Sequence, residues 1–222
     1  MTRIALSNGQ YADLIIAADQ NIGGNYPLPN GQYAQTVVPV DASGNVITTI
    51  PVLHPGYESG LYYGPFFVGT TSSYTLLANT IYYQFTYIPR DVTISGLAIN
   101  VTTASSGASM RLGIYSVANG NASSLIVDAG TVSIGTTGQK DAAFSRFLAA
   151  GWYAFTSTAS AAGGVVTGAA PSAANFPFVG LSGVQTYGGI GKSGAFTYGS
   201  LPSTAPTAYS GSSNVPVIWF KT

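Results

Sequence analysis

The chain has 222 residues, no cysteine, a formal net charge of zero, and only seven Lys or Arg and seven Asp or Glu side chains. Ordinary soluble domains carry roughly a quarter charged residues, so this surface is covered largely by neutral hydroxyl and amide groups. The missing cysteines exclude a disulfide framework. The missing basic clusters exclude electrostatic attraction to nucleic acid or anionic lipid, which needs grouped Lys and Arg.

A neutral surface gives up the like-charge repulsion that keeps soluble proteins apart. We therefore interpret the chain as one built to pack against copies of itself or against other subunits. Hydrophobic residues make up 46% of it, and a chain of this length buries about 70% of the surface that its unfolded form exposes. A core of that size needs neither disulfides nor metals, and we predict no cofactor.

Residues 1–10 contain neither the basic leader nor the apolar run of a secretory signal, so export by that route is not expected. No stretch approaches the roughly 20 consecutive apolar residues of a membrane helix. The sequence therefore predicts a protein that is soluble or assembled and is not inserted in a membrane.

Residues 1–60 differ in composition from the rest and are predicted to form an extended attachment arm. They hold five prolines and the longest helix-compatible stretch, residues 11–20, which stops before a Gly-Gly pair. Residues 36–53 are typical of an extended hairpin with a turn at 41–45, and their prolines restrict them to edge strands or an arm. Such a segment suits fastening to a neighbouring subunit.

The pentapeptide Asn-Gly-Gln-Tyr-Ala occurs twice, at 8–12 and at 30–34. Chance explains such a repeat in a chain rich in Asn and Gly, and a docking element used twice explains it equally well. On the second interpretation Tyr11 and Tyr33 are the candidate attachment residues. Two short matches do not indicate a solenoid.

Residues 61–222 show short β-branched and aromatic runs broken by Gly, Asn and Ser, which is typical of an all-β domain. The alternation of apolar and polar residues is clearest at 92–101 and 110–115. We predict a jelly-roll-like β-sandwich, with residues 156–175 as a loop. The predicted strands are 61–68, 81–88, 92–103, 109–117, 124–134, 143–149, 151–157, 176–184 and 215–220.

Three blocks in the middle of the chain carry a family resemblance. They read Arg-Leu-Gly-Ile-Tyr at 111–115, Ser-Leu-Ile-Val-Asp-Ala-Gly-Thr-Val at 124–132 and Phe-Leu-Ala-Ala-Gly-Trp-Tyr at 147–153. In order and spacing they resemble a β-sandwich module of tailed-bacteriophage virion proteins, especially tail fibres and other appendages, and the 39–45 turn also resembles phage structural proteins. The resemblance implies a virion component, commonly oligomeric, that is assembled in the host cytoplasm.

Plain structural roles account for the polar and aromatic residues of these blocks. Asp128 is predicted to accept backbone hydrogen bonds in a turn and to pair with Arg111 on the polar face of its strand. Gly151, Trp152 and Tyr153 predict a tight turn followed by a core aromatic residue. Neither feature requires chemistry.

Three patterns imitate catalytic or ligand sites. Residues 189–194 fit the dinucleotide pattern G-x-G-x-x-G, but no acid follows Asp141 and no helix is predicted after them, which favours a neutral glycine-rich loop. His54 is the single histidine, so one chain cannot build a His-based metal cage, and no nucleophile elbow accompanies it. The seven acids mostly lie beside turn residues, which makes a polysaccharide-cleaving carboxyl pair the least favoured alternative. We predict that the chain is not an enzyme.

The 15 tyrosines provide flat apolar faces with polar tips, which suit sugar rings and subunit interfaces. Tyr187, Tyr198 and Tyr209 are the candidate glycan or interface contacts. The leading hypothesis is a noncatalytic virion structural protein, either a head fibre or decoration subunit or a tail appendage. It is expected to form a homo-oligomer, a trimer, and to attach to other virion proteins through residues 1–60. The alternative is a tail-fibre module that binds a host receptor or surface carbohydrate.

Overall fold

The fold is seen in a computed structural model. It describes residues 54–65, 71–169, 190–212 and 214–222, and the backbone of four short strands within residues 2–34. The chain divides into two units, Met1–Val52 and Leu53–Thr222. Each unit is treated by itself below.

The described part of the chain contains strands and no helix, which confirms the all-β prediction. The strands are β1 (Thr2–Ala5), β2 (Tyr11–Leu14), β3 (Tyr26–Pro27), β4 (Tyr33–Ala34), β5 (Tyr62–Tyr63), β6 (Thr71–Thr75), β7 (Thr80–Ile88), β8 (Val92–Thr103), β9 (Ser109–Ala118), β10 (Asn121–Ser133), β11 (Gly138–Leu148), β12 (Gly151–Ala159), β13 (Val165–Ala169), β14 (Gly191–Ala195), β15 (Tyr209–Ser212), β16 (Val215–Pro216) and β17 (Trp219–Lys221).

Eight consecutive strands, β6 to β13, form a jelly roll. The first sheet has the order β6-β13-β8-β11, and the second has the order β7-β12-β9-β10. All of these pairs are antiparallel, and the chain crosses between the sheets at every connection except the β9–β10 hairpin. That arrangement is the double Greek key of a jelly roll, so the predicted fold class is confirmed.

The remaining strands of this unit widen the two sheets. In the second sheet β14 pairs with β7, and β15 pairs with β14. In the first sheet β17 pairs with β8, and β5 pairs with β17. The short strand β16 pairs with β13. Strand β5 and the carboxyl-terminal strand β17 therefore meet on the first sheet.

The core lies between the sheets because the strands alternate inward and outward side chains. Ile94 and Leu97 of β8 face Leu112 and Ile114 of β9 and Phe155 of β12, and all five side chains are buried. Burying such residues is worth about 1.5 to 3 kcal/mol each.

The buried side chain of Gln84 attaches the carboxyl-terminal residues of the chain to the sandwich. Gln84 of β7 is 1% exposed. Its Nε2 donates to the Ile218 carbonyl at 3.0 Å and to Thr86 Oγ1 at 3.1 Å, and its Oε1 accepts the Ile218 N–H at 2.9 Å. The Gln84 side-chain amide thus makes the two hydrogen bonds to the Ile218 backbone that a neighbouring strand would otherwise make.

The predicted strands agree best where alternation was clear. The range 92–103 is β8, and 81–88, 109–117, 124–134 and 151–157 match β7, β9, β10 and β12 to within three residues at each end. The range 143–149 falls within or next to β11, which begins five residues earlier, and 215–220 divides into β16 and β17. Of 61–68, only β5 is a strand among the described residues, and 176–184 lies outside them.

Two predictions about loops were wrong. Of residues 156–175, the described part, 156–169, includes the end of β12 and all of β13, whose small uncharged side chains form a strand because β6 and β8 pair with it on its two edges. The glycine-rich loop at 189–194 is largely β14. Strand β6 was not predicted, because its Thr-Ser-Ser-Tyr-Thr sequence carries little apolar signal.

In the amino-terminal unit β1 pairs with β2, and β3 pairs with β4. Residues 11–14 of the helix-compatible stretch are therefore extended. The predicted hairpin at 36–53 lies outside the described residues, and the extended arm stays a prediction. Residues 54–60, which the sequence assigned to the arm, belong to the β-sandwich unit, where the ring of Tyr57 packs 5.6 Å from that of Phe220.

Candidate functional site

The outer face of the second sheet carries an apolar cluster separate from the core. It is formed by Tyr83 and Phe85 of β7, Tyr115 of β9 and Ala154 of β12. Leu201 covers it from the β14–β15 connection, residues 196–208, which we call the covering connection. The rings of Tyr83 and Tyr115 meet edge to face with centroids 5.9 Å apart. Burial raises the pKa of both phenols well above its ordinary value, so they stay protonated and serve packing.

Two of the predicted glycan or interface tyrosines belong to this covered face. Tyr209 of β15 is half-buried, its ring lies 5.4 Å from that of Tyr83, and its hydroxyl is 3.5 Å from the Ala122 carbonyl. Tyr198 is half-buried in the covering connection. Tyr187 lies outside the described residues. The role of all three in contacting a glycan or another subunit stays a prediction.

The two candidate attachment tyrosines occupy equivalent positions. Tyr11 pairs with Ala5 at the start of β2, and Tyr33 pairs with Pro27 at the start of β4. Each copy of the pentapeptide therefore leads into the second strand of an antiparallel pair, with the same spacing from the first strand. That equivalence makes the repeat a structural one, and the attachment role of both tyrosines stays a prediction.

The predicted pair of Arg111 and Asp128 is confirmed. Arg111 Nη2 lies 2.8 Å from Asp128 Oδ2, and Arg111 Nε lies 2.9 Å from both carboxylate oxygens. The carboxylate also accepts the N–H groups of Gly130 at 3.1 Å and Leu201 at 3.2 Å. Burial alone would raise the pKa of Asp128, but the hydrogen bonds from Arg111 and the two backbone groups outweigh it and lower the pKa. The pair fastens the covering connection to the sheet.

Lys192, which lies in the dinucleotide-like pattern at 189–194, makes its contacts within the protein. It lies in β14, and its Nζ donates to the Gly120 carbonyl at 2.9 Å and to Asn121 Oδ1. The ammonium also stands 5.3 Å from the ring centre of Tyr209. Burial lowers the pKa of Lys192. The lysine ties β14 to the β9–β10 turn, so the resemblance to a nucleotide site ends with the sequence pattern.

The other residues that imitated catalytic groups also hold local structure. Asp91 accepts the Ala150 N–H at 2.8 Å, which ties the β7–β8 connection to the β11–β12 connection. His54 Nδ1 accepts the Gly56 N–H at 3.1 Å, and its ring lies 4.4 Å from that of Tyr57. Within the described ranges no three His, Asp or Glu side chains gather in a way that could hold a metal ion.

Large apolar side chains are exposed at the end of the sandwich where β11 turns into β12. Phe147 of β11 is 59% exposed and Trp152 of β12 is 42% exposed, with the Trp152 ring 5.1 Å from that of Tyr87. We call these three residues the tip aromatics. The aromatic residue predicted to enter the core after Gly151 is Tyr153, which packs against the core, whereas Trp152 faces outward. Alternation alone could not decide which of the two neighbours faces the core.

No protein-family model matches the chain, and no curated protein matches it significantly. Among the described residues no helix is long and apolar enough to span a membrane.

Proposed function

We propose that this chain is a noncatalytic structural protein of a tailed-bacteriophage virion. It serves as a head fibre or decoration subunit, or as a subunit of a tail appendage. It forms a homo-oligomer, a trimer, and residues 1–60 attach it to other virion proteins. Assembly takes place in the host cytoplasm, and the mature protein resides in the particle.

The observation that carries this proposal is the exposure of the tip aromatics on a domain with very few charges. Phe147 is 59% exposed and Trp152 is 42% exposed, on a chain with 14 charged side chains among 222 residues. Buried aromatic side chains supply much of the binding energy of protein interfaces, and charged residues are depleted from interface cores. A jelly roll with few charges and exposed tip aromatics is suited to contact with neighbouring subunits.

The fold and the polar side chains add support. Jelly rolls occur in viral capsid and lectin domains, although the same fold also hosts other functions. Asp91, Asp128, His54 and Lys192 each make hydrogen bonds that hold connections or strands in place. Their structural duties favour a noncatalytic role.

The proposal is tested on particles purified from the phage that encodes the chain. Mass spectrometry of gradient-purified virions should find the chain at constant stoichiometry relative to the major capsid protein through successive purification steps. Cryo-electron microscopy should then place its jelly roll on the head or on the tail. A chain that is abundant in the infected cell and lost from the purified particles would contradict the proposal.

A further inference from the structure

The outer face of the first sheet carries a groove of about 360 Å³ that none of the roles above uses. Its volume falls in the range of small-molecule sites, which begins at about 300 Å³. Strand β8 forms the floor of the groove, and the small side chain of Ala98 leaves space at its centre. The lining of the groove includes Tyr62, Ala98, Asn100, Gln139, Thr167 and Trp219.

Two aromatic side chains from opposite ends of the domain sequence meet at this groove. Tyr62 of β5 pairs with Lys221 of β17, and Trp219 of β17 pairs with Ala98 of β8. Tyr62 is 36% exposed, and Trp219 is half-buried. Gly64 passes beside the indole edge, where an added Cβ would make an ordinary contact 3.4 Å from Trp219 Nε1. The groove therefore offers two partly exposed aromatic side chains.

The polar side chains around the groove are held in place by one another. The Tyr62 hydroxyl donates to Asp141 Oδ1 at 2.5 Å, and Gln139 Nε2 donates to Asp141 Oδ2 at 2.8 Å. Asn100 Nδ2 donates to Thr167 Oγ1 at 3.0 Å. Within the described ranges, the amide oxygens of Asn100 and Gln139 accept no hydrogen bond. The groove thus has two hydrogen-bonded amides whose oxygens have acceptor capacity left for a ligand.

Two side chains of opposite charge, Lys221 and Asp141, lie near the groove. Lys221 stands with its Nζ 5.3 Å from the ring centre of Tyr62, and Asp141 is held by Tyr62 and Gln139. A phosphate ligand would require grouped Lys and Arg side chains, and a purely apolar ligand would leave the amides unpaired. Aromatic faces beside neutral amides and hydroxyls suit a sugar ring, which has apolar C–H faces and a rim of hydroxyl groups.

We propose that this groove binds a neutral saccharide, with Tyr62 and Trp219 contacting the ring faces and Asn100 and Gln139 hydrogen-bonding the hydroxyls. The site differs from the tyrosines that the sequence singled out for glycan contact. It gives the receptor-binding alternative a location. Binding here does not require the chain to be a virion subunit, so the particle experiment and the saccharide experiment fail independently.

The two tryptophans of the chain allow a matched fluorescence test. Trp152→Phe leaves Trp219, at the groove, as the single tryptophan, and Trp219→Phe leaves Trp152, at the tip, as the control reporter. Both full-length variants are titrated with neutral hexasaccharides of glucose, galactose, mannose and rhamnose, and the unmodified protein is applied to a glycan array. At least one saccharide should shift the emission of Trp219 saturably in Trp152→Phe, whereas Trp219→Phe, which lacks the indole at the groove, should show no saturable change.

Side-chain removal separates a specific site from general stickiness. Gln139 is exposed, so Gln139→Ala should fold normally and weaken binding about 10-fold, through loss of one hydrogen-bonding amide. Ser133→Ala, at another exposed position, should leave the affinity unchanged. A protein that binds no saccharide in either format, or whose affinity is equal in Gln139→Ala and Ser133→Ala, would overturn the proposal.

Discussion

Replacing Gln84 with leucine should lower the free energy of unfolding by about 3 kcal/mol or more. Gln84 is 1% exposed and makes three hydrogen bonds, two of them with the backbone of Ile218. Leucine fills much of the same volume but leaves a buried N–H and a buried C=O without partners, and each such group costs about 1 to 3 kcal/mol. Urea denaturation followed by circular dichroism, at a fixed protein concentration, measures the loss.

Gln84→Glu tests the same hydrogen bonds through the pH dependence of stability. Protonated glutamate can reproduce the donor and acceptor of the amide, whereas its carboxylate would be buried without a cation. Burial raises the folded pKa of such a group above its unfolded value of about 4.3. Gln84→Glu should therefore be close to the unmodified protein in stability below pH 4 and should lose stability progressively as pH rises through the raised pKa. Equal losses at pH 4 and pH 7 would contradict this role of Gln84.

Replacing Gly113 with alanine should have the second large effect, a loss of about 2 to 3 kcal/mol, as expected for an overpacked site. Gly113 lies in β9 below the covering connection of the second sheet. An added Cβ would stand 2.7 Å from the backbone oxygen of Val127 and 2.3 Å from Leu201 Cδ1. Leu201 can turn away, but the Val127 carbonyl belongs to the neighbouring strand and cannot. Thermal unfolding should show the midpoint lowered by roughly 5 to 10 °C.

Gly199→Ala is the matched control for that substitution. Gly199 lies in the covering connection, and the nearest atom to an added Cβ is the Thr197 oxygen at 3.9 Å. Its stability should be unchanged, or higher by a few tenths of a kcal/mol because alanine restricts the unfolded chain. If Gly113→Ala and Gly199→Ala melted at the same temperature, close packing of β9 against β10 and Leu201 would be refuted.

The fold class was accessible from the sequence because alternation survives in the longest strands. In β8 the inward residues Ile94, Leu97, Ile99 and Val101 alternate with small or polar ones, with one shift at Gly96. The Arg111–Asp128 pair was also accessible, since both residues belong to strands with clear polar faces. Local patterns of this kind need no knowledge of the partner strand.

Strands β13 and β14 could not be predicted from the sequence because their extended conformation depends on pairing with neighbouring strands. Val165–Ala169 has a weak pattern of its own and becomes a strand between β6 and β8. Gly191 of β14 is a glycine because a Cβ there would stand 2.5 Å from the Tyr83 oxygen. The sequence pattern predicts a neutral glycine-rich loop at this position, whereas the structure requires the glycine for close approach of two backbones.

The groove was missed for a related reason. Tyr62 and Trp219 stand near opposite ends of the domain sequence, and the pairing of β5 with β17 and of β17 with β8 brings them together. Gln139 and Asn100 join them only through the register of β11 on β8. The outward exposure of Tyr62, and the half-exposure of Trp219, depend on strand register that composition cannot reveal.

The central claim is that the neutral exterior of this chain is made for contact with protein, and the molar mass of the purified chain tests it most directly. Size-exclusion chromatography with light scattering at micromolar concentration should give three times the 22.7 kDa of one chain. Phe147→Asp should reduce that mass by placing a charge in the contact surface. Thr131→Asp, at another exposed site, should not. A stable, soluble monomer across the micromolar range would contradict the account.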